Sequence, residues 1–140
     1  MANKTLYIEL LSDDAILPVK AHSSDAGVDL YATEDVLLKF NKPVRVKTGI
    51  AIKLPTNTVG DIRPRSSLNA KGVHVGYGTV DAGYTGEIQV VMSAFWHKIH
   101  KGDKIAQLVV LPLVSYNTIK AEVSKLKTDR GNKGFGSSGK

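Results

Sequence analysis

Apolar residues in this chain fall into short runs of strand character, each cut off by proline, glycine or asparagine. Leu6–Leu11 is the first. Val36–Phe40 ends at Asn41-Lys42-Pro43, and Val44–Lys47 alternates cleanly. Gly49–Leu54 stops at Pro55 and Val59–Arg63 at Pro64, and Glu87–Met92 and Ile105–Val114 follow. Side chains of this type pack well on a pleated surface, and a following proline has no N–H with which to extend a ladder. Many short strands at near-regular spacing predict a sandwich or barrel rather than alternating βαβ units. One segment, Ser66–Lys71, reads as helical, with Ser66 the expected N-cap and Gly72 the expected stop.

The length of 140 residues suits one domain with a real core. Hydrophobic residues make up 42% and charged residues 23%, which excludes general disorder. With no cysteine, disulfides and thiolate metal sites are excluded, and the chain suits a reducing compartment. Met1–Thr5 lacks the apolar core of a signal peptide. The longest apolar run, Ile105–Val114, contains Gln107 and Pro112 and is too short to cross a bilayer. A soluble, cytoplasmic protein with no membrane partner is expected. The formal charge of +6 favours a polyanionic partner. Nucleic-acid binders interleave basic residues with aromatics, which are only 6% here and scattered, so no nucleic-acid partner is expected. The glycine-rich end, Arg130–Lys140, has Phe135 as its one large apolar group. It divides the chain into a β domain over 1–129 and a flexible arm over 130–140.

Two motifs are decoys. Gly134–Lys140 matches most of a phosphate-binding P-loop, but that loop needs a strand before it and a helix after it. His97 and His100 are three apart, a spacing that brings ligands together on a helix but not on a strand. The segment is expected between strands, with surface histidines.

Four other stretches carry chemistry more plausibly. Pro64-Arg65-Ser66-Ser67 opens the helical turn with a guanidinium fork and two hydroxyls, a phosphate-binding combination or a plain capped helix. Gly78–Glu87 places Asp81 and Tyr84 among glycines before a strand. That arrangement suits water activation and stacking, or merely a tight turn. Asp25–Leu30 offers carboxylates of the kind that magnesium-bound waters prefer. Gln107 interrupts a buried strand after Gly102-Asp103-Lys104 and needs a partner, structural or ligand.

In order, these stretches make the chain resemble the trimeric dUTPase family over nearly its whole length, through five motifs: Ala26–Leu30, Pro64–Ser67, Gly78–Gly86, Gly102–Gln107 and Arg130–Gly139. The resemblance implies an all-β, distorted jelly-roll barrel with one short helix, assembled as a homotrimer with shared active sites. It implies Mg²⁺-dependent hydrolysis of dUTP to dUMP and pyrophosphate by water attack at the α-phosphorus, which limits uracil in DNA and supplies dUMP for dTMP synthesis. Carried over, Asp81 is the base that activates water, and Tyr84 is the platform under the deoxyribose. Val75–Val80, with Val75, Gly78 and Val80 as contacts, resembles the hairpin whose backbone reads the uracil edge. Arg65, Ser66, Ser67 and Gln107 resemble phosphate contacts. Asp29 resembles the acid near the magnesium-bound waters, an indirect ligand. In the arm, Arg130 matches a γ-phosphate contact, Phe135 the lid over uracil, and Gly136 and Ser137 further substrate contacts.

The chain departs from the family at Gly83 (often a second acid), Thr85 (often arginine) and Lys133 (usually glycine). The related dCTP deaminases share part of the pattern, but their catalytic glutamate falls where this chain has Val91, which cannot move a proton. A silent nucleotide-binding module would be expected to lose the base or the arm, and both are present. A nucleic-acid-binding barrel rests on charge alone.

Overall fold

A computed structural model describes residues 4–134 and 136. Ten strands, one short α-helix and one 3₁₀ turn make up the regular structure of the described residues. The first sheet has four strands, β1 (Tyr7–Leu10), β4 (Val44–Lys53), β8 (Glu87–Ser93) and β6 (His74–Val75), in that order. The second runs β2 (Gly27–Tyr31), β10 (Lys104–Pro112), β5 (Thr58–Arg63), β7 (Gly78–Val80). A two-stranded sheet joins β3 (Val36–Lys39) to β9 (Trp96–Ile99). Every pairing is antiparallel, and the fold is the expected all-β jelly roll.

Alternation decides which side of each strand faces inward. Along β5 buried and half-buried residues alternate strictly, and β8 buries Ile88, Val90 and Met92 while Glu87, Gln89 and Val91 face outward. These side chains join Leu30, Leu38, Val46, Ile50, Ile99, Ile105 and Leu108 in one core, all at most 2% exposed. Burying such side chains contributes roughly 1.5–3 kcal/mol each.

Several local readings are corrected. Val44–Lys47 and Gly49–Leu54 are one strand, not two. Lys47 lies opposite Gln89 and Ala51 opposite Glu87, so four steps along β4 match two along β8. The surplus is taken up in a bulge where Gly49 adopts φ +69°. Phe40 is not the end of a strand. Phe40 and Asn41 both have positive φ, of 55° and 56°, the signature of a type I′ turn, here joining strands that pair with other partners. The Phe40 and Asn41 N–H groups donate to Phe95 and Ala94 carbonyls, at 2.8 and 3.0 Å, and the Phe40 and Phe95 rings meet edge to face. The helix α1 spans Ser66–Ala70, and Arg65 rather than Ser66 holds the N-cap position, in extended conformation and without a side-chain cap. Gly72, at φ +77°, ends that turn as expected. His97 lies within β9 and not between strands, and only His100 falls in the following turn.

A Cβ at Gly49 would lie 2.7 Å from Thr33 Cγ2 and 2.9 Å from Ala15 Cβ, whereas one at Gly102, φ +88°, meets nothing within 4 Å. Both glycines carry a left-handed backbone, which costs an L-residue about 1–2 kcal/mol. Gly102→Ala should lose about that much in urea denaturation, and Gly49→Ala clearly more. Equal losses would mean that the neighbours of Gly49 give way freely.

Candidate active site

Strand β10 pairs with β2 on one side and β5 on the other, and its register places Asp29 opposite Gln107 and Gln107 opposite Arg63. Residues directly opposite share a face of the sheet, so side chains from three distant parts of the sequence stand in one row. Asp29 is ion-paired on both sides, with its Oδ1 3.3 Å from Arg65 Nε and its Oδ2 3.5 Å from Lys104 Nζ. Gln107 is half-buried and its Nε2 donates to the Pro64 carbonyl at 3.1 Å. The polar group in the apolar strand thus has a partner, and it fixes the chain where it enters α1. Arg65 Nη1 donates to Ser67 Oγ at 3.4 Å. Asp29, Arg65, Ser67 and Gln107 therefore come together at the entrance to α1, where Ser66 is the first helical residue. A cleft of about 500 Å³ opens beside them, lined by Arg65, Ser67, Lys71, His97, His100 and Lys104 among others. Neither Lys71 nor His97 can be placed in this cleft from local pattern, because α1 and β9 meet only through the fold. Cations outnumber acids in this cleft, so it suits an anion.

Asp81 and Tyr84 form a second centre. The turn after β7 closes with the Tyr84 N–H donating to the Asp81 carbonyl at 3.0 Å, and the Tyr84 hydroxyl donates to the Glu87 carbonyl at 2.9 Å. Both side chains line a groove of about 460 Å³ with Arg45, Gly78, Gln89 and Val91. Asp81 is exposed, and among the described residues nothing pairs with its carboxylate. Arg45, Glu87 and Gln89 reach this groove through the pairing of β4 with β8, which sequence patterning does not reveal.

The Val75–Val80 segment is not a closed two-stranded ladder. β6 pairs with β8 and β7 with β5, so Gly76 and Tyr77 cross from one sheet to the other, with the Gly76 N–H donating to the Val91 carbonyl at 2.8 Å. Two-residue β6 is too short to sustain a hairpin, and each strand finds a longer neighbour. Val75 and Val80 are 7% and 6% exposed, and each is paired in its own sheet, with Met92 and Gly60 respectively.

Among the described residues the two centres share no lining residue, and none beyond Ile105 lines either cleft. Arg130 turns back on its own segment, its Nε donating to the Lys133 carbonyl. Gly136 has φ +96°, while Phe135 and Ser137 lie outside the described residues. Residues from Pro112 to Lys133 are all exposed, including Val114, Tyr116 and Ile119. No helix among the described residues is long and apolar enough to cross a membrane.

Asp35 and Lys101 meet at the turn before β10. Asp35 is lowered chiefly by the N–H of Lys101 donating to its carboxylate, and Lys101 is raised chiefly by its hydrogen bond to Asp14. They tie three loops together on the far side of the turn that opens β10.

An all-β subunit with an unpaired loop carboxylate in one groove and an anion-binding cleft in another has the layout of a nucleotide-handling protein. The dUTPase family model matches residues 13–139, and the chain belongs to that family. It is 48% identical, with 100% of both chains covered, to the deoxyuridine 5'-triphosphate nucleotidohydrolase of Clostridium tetani. It is 42% identical to that of Mycobacterium tuberculosis, covering 96% of this chain and 95% of that one. Among solved structures, Staphylococcus bacteriophage 80alpha dUTPase with dUPNHPP superposes with a TM-score of 0.88 at 29% identity, covering 98% and 99% of the two chains. A mutant dUTPase from phage phi11 of S. aureus, described with a structural Mg(II) ion, gives a TM-score of 0.79 at 27% identity, covering 84% and 97%.

Proposed function

We propose that this protein is a dUTP diphosphatase that hydrolyses dUTP to dUMP and pyrophosphate, with Asp81 as its general base. The observation that carries this reading is the unpaired Asp81 carboxylate set with Tyr84 in one groove, on a dUTPase-family chain. A carboxylate without a cationic partner is free to take a proton. Asp81 accepts the proton of a water whose oxygen attacks the α-phosphorus. The bond to the bridging oxygen then breaks and pyrophosphate leaves. Tyr84 stacks under the sugar and leaves no room for a 2′-hydroxyl, and a hydroxyl so excluded opposes ribonucleotide binding. Backbone groups of Val75, Gly78 and Val80 read the uracil edge with fixed geometry.

Arg65, Ser66, Ser67 and Gln107 hold the phosphates, with Arg65 oriented by Asp29. Among the described residues no three His, Asp or Glu side chains come together as a metal cage. Mg²⁺ fits instead as an ion carried by the phosphates, as this hard cation commonly is. Asp29 would hold it through water, and when bound it neutralises charge on the phosphate oxygens. The arm over 130–140 closes the site, with Arg130 on the γ-phosphate, Phe135 over uracil, and Gly136 and Ser137 at the triphosphate. Charge and stacking then offset the entropy of ordering the arm.

The separation of the two centres on one chain supports a homotrimer in which each site draws on several subunits. Leu113, Val114, Tyr116, Ile119, Val123 and Leu126, all more than half exposed, give the tail an apolar surface to cover against a neighbour. In a closed threefold ring every interface is heterologous, so such sharing repeats around the axis.

Pyrophosphate release should be rapid with dUTP and poor with dTTP, dCTP and UTP. Equal turnover of dCTP or UTP would sink the base and sugar assignments, and ammonia from dCTP would point to a deaminase. Asp81→Asn should lower kcat by roughly 10²–10⁴-fold, the usual contribution of a positioned base, with a much smaller change in affinity. Near-normal turnover would place the base elsewhere.

Subunit sharing has its own test. An Asp81→Asn chain with its arm and an armless chain with Asp81 should each be nearly inactive. Unfolded, mixed in equal amounts and refolded, they give about three-quarters mixed rings with one intact site of three. Activity should recover to roughly a quarter of wild type. Mixed trimers, confirmed by sedimentation, that stay inactive would refute shared sites.

A further inference from the structure

We propose that Glu87 is a positioning residue that holds Tyr84 in place by bracing the β4 bulge, and so sets the preference for deoxyribose over ribose; this rests on the sugar-platform role given to Tyr84 above. The bulge at Gly49 turns that residue out of the β4–β8 ladder, and a half-buried N–H left without an acceptor is unfavourable. Glu87 Oε2 accepts that N–H at 3.0 Å, and the Gly49 carbonyl accepts the N–H of Leu11 at 2.7 Å. One residue further along β8, the buried Thr48 hydroxyl donates to the Ile88 carbonyl. The start of β8 is therefore clamped to β4 twice, once through the Glu87 carboxylate and once through its neighbour's backbone.

The same residue faces Tyr84 with its main chain. The phenol donates to the Glu87 carbonyl at 2.9 Å. Its ring also lies against Gly86, where an added Cβ would be 2.6 Å from the hydroxyl oxygen and 2.8 Å from Cζ. Tyr84 thus takes its position from the backbone of Gly86 and Glu87, and the Glu87–Gly49 bond braces that backbone beside its pairing with Ala51 and the Thr48–Ile88 bond. Tyr84 is 47% exposed, so core packing does not hold the ring independently. A sugar platform discriminates only as well as it is held, because a small displacement opens room for one more hydroxyl.

The brace can be tested with Glu87→Ala and Glu87→Gln. Glutamine keeps an oxygen able to accept the Gly49 N–H, and alanine keeps none. In Glu87→Ala, protection of the Gly49 amide against deuterium exchange should fall while the circular dichroism spectrum stays that of the wild type. The ratio of kcat/KM for dUTP to that for UTP should fall roughly tenfold, a modest cost for a misplaced contact, with more of the change in KM than in kcat. Glu87→Gln should keep both the amide protection and the ratio. A folded Glu87→Ala protein with an unchanged ratio overturns the proposal. So does a Glu87→Gln protein that loses as much as alanine, since charge and not the bond would then matter.

Should Glu87→Ala fail to fold, Gly86→Ala displaces the phenol from its other side and leaves the Glu87–Gly49 bond in place. It should lower the ratio similarly, and an unchanged ratio is fatal to the idea. A wild-type protein indifferent to the sugar would instead sink the role of Tyr84, while the Gly49 exchange measurement still decides whether the brace exists.

Discussion

The pairing of β10 with both β2 and β5 is the interaction on which the rest of the molecule depends. It fills the second sheet's centre with Ile105, Ala106 and Leu108. In the same stroke it sets Asp29, Gln107 and the entrance to α1 in one row. Register is the controlling quantity. A slip of one residue would turn Gln107 inward and expose its apolar neighbours, so the energy of the core enforces the geometry of the polar row. The same sheet delivers β7, and with it Asp81, from its other edge.

Much of the β architecture is legible in the sequence because burial writes a period of two. Val59–Arg63 and Glu87–Met92 announce their inward faces, and the proline and asparagine stops fall at real strand ends. What is not legible has physical causes. β2 hides behind Asp25 and Asp29, whose charges mask a strand that is only partly buried. β6, β7 and β9 are two to four residues long, too short for a period to emerge. Gly49 looks like a break because a bulge and a stop use the same residue, and only the partner strand tells them apart. Ser66 is a good cap by composition, but the chain leaves Arg65 extended and puts it at the cap position.

For the site, the sequence shows the kinds of groups present and not their company. Asp81, Tyr84, Arg65 and Gln107 each have a plain structural reading as turn, cap or strand residues, and only their order along the chain, set against a known family, singles them out. Their grouping into two separate centres is set by sheet order, which no local pattern encodes. Arg45, Glu87 and Gln89 look like ordinary outward-facing strand residues until β4 and β8 are laid side by side. His97 and His100 carry a spacing that would make a pair on a helix, yet one lies in β9 and the other at the turn after it, both bordering the anion cleft.

The division of the polar machinery into two clefts with no residue in common has a consequence for regulation by abundance. On the shared-site reading, a solitary chain binds each half of a nucleotide poorly and completes no turnover. Activity then depends on the concentration of chains as well as on their number, rising steeply where association begins and vanishing on dilution. Newly made chains are inert until they find one another. Ligand that bridges two subunits also favours the assembly that binds it, so substrate supply and assembly reinforce each other through mass action.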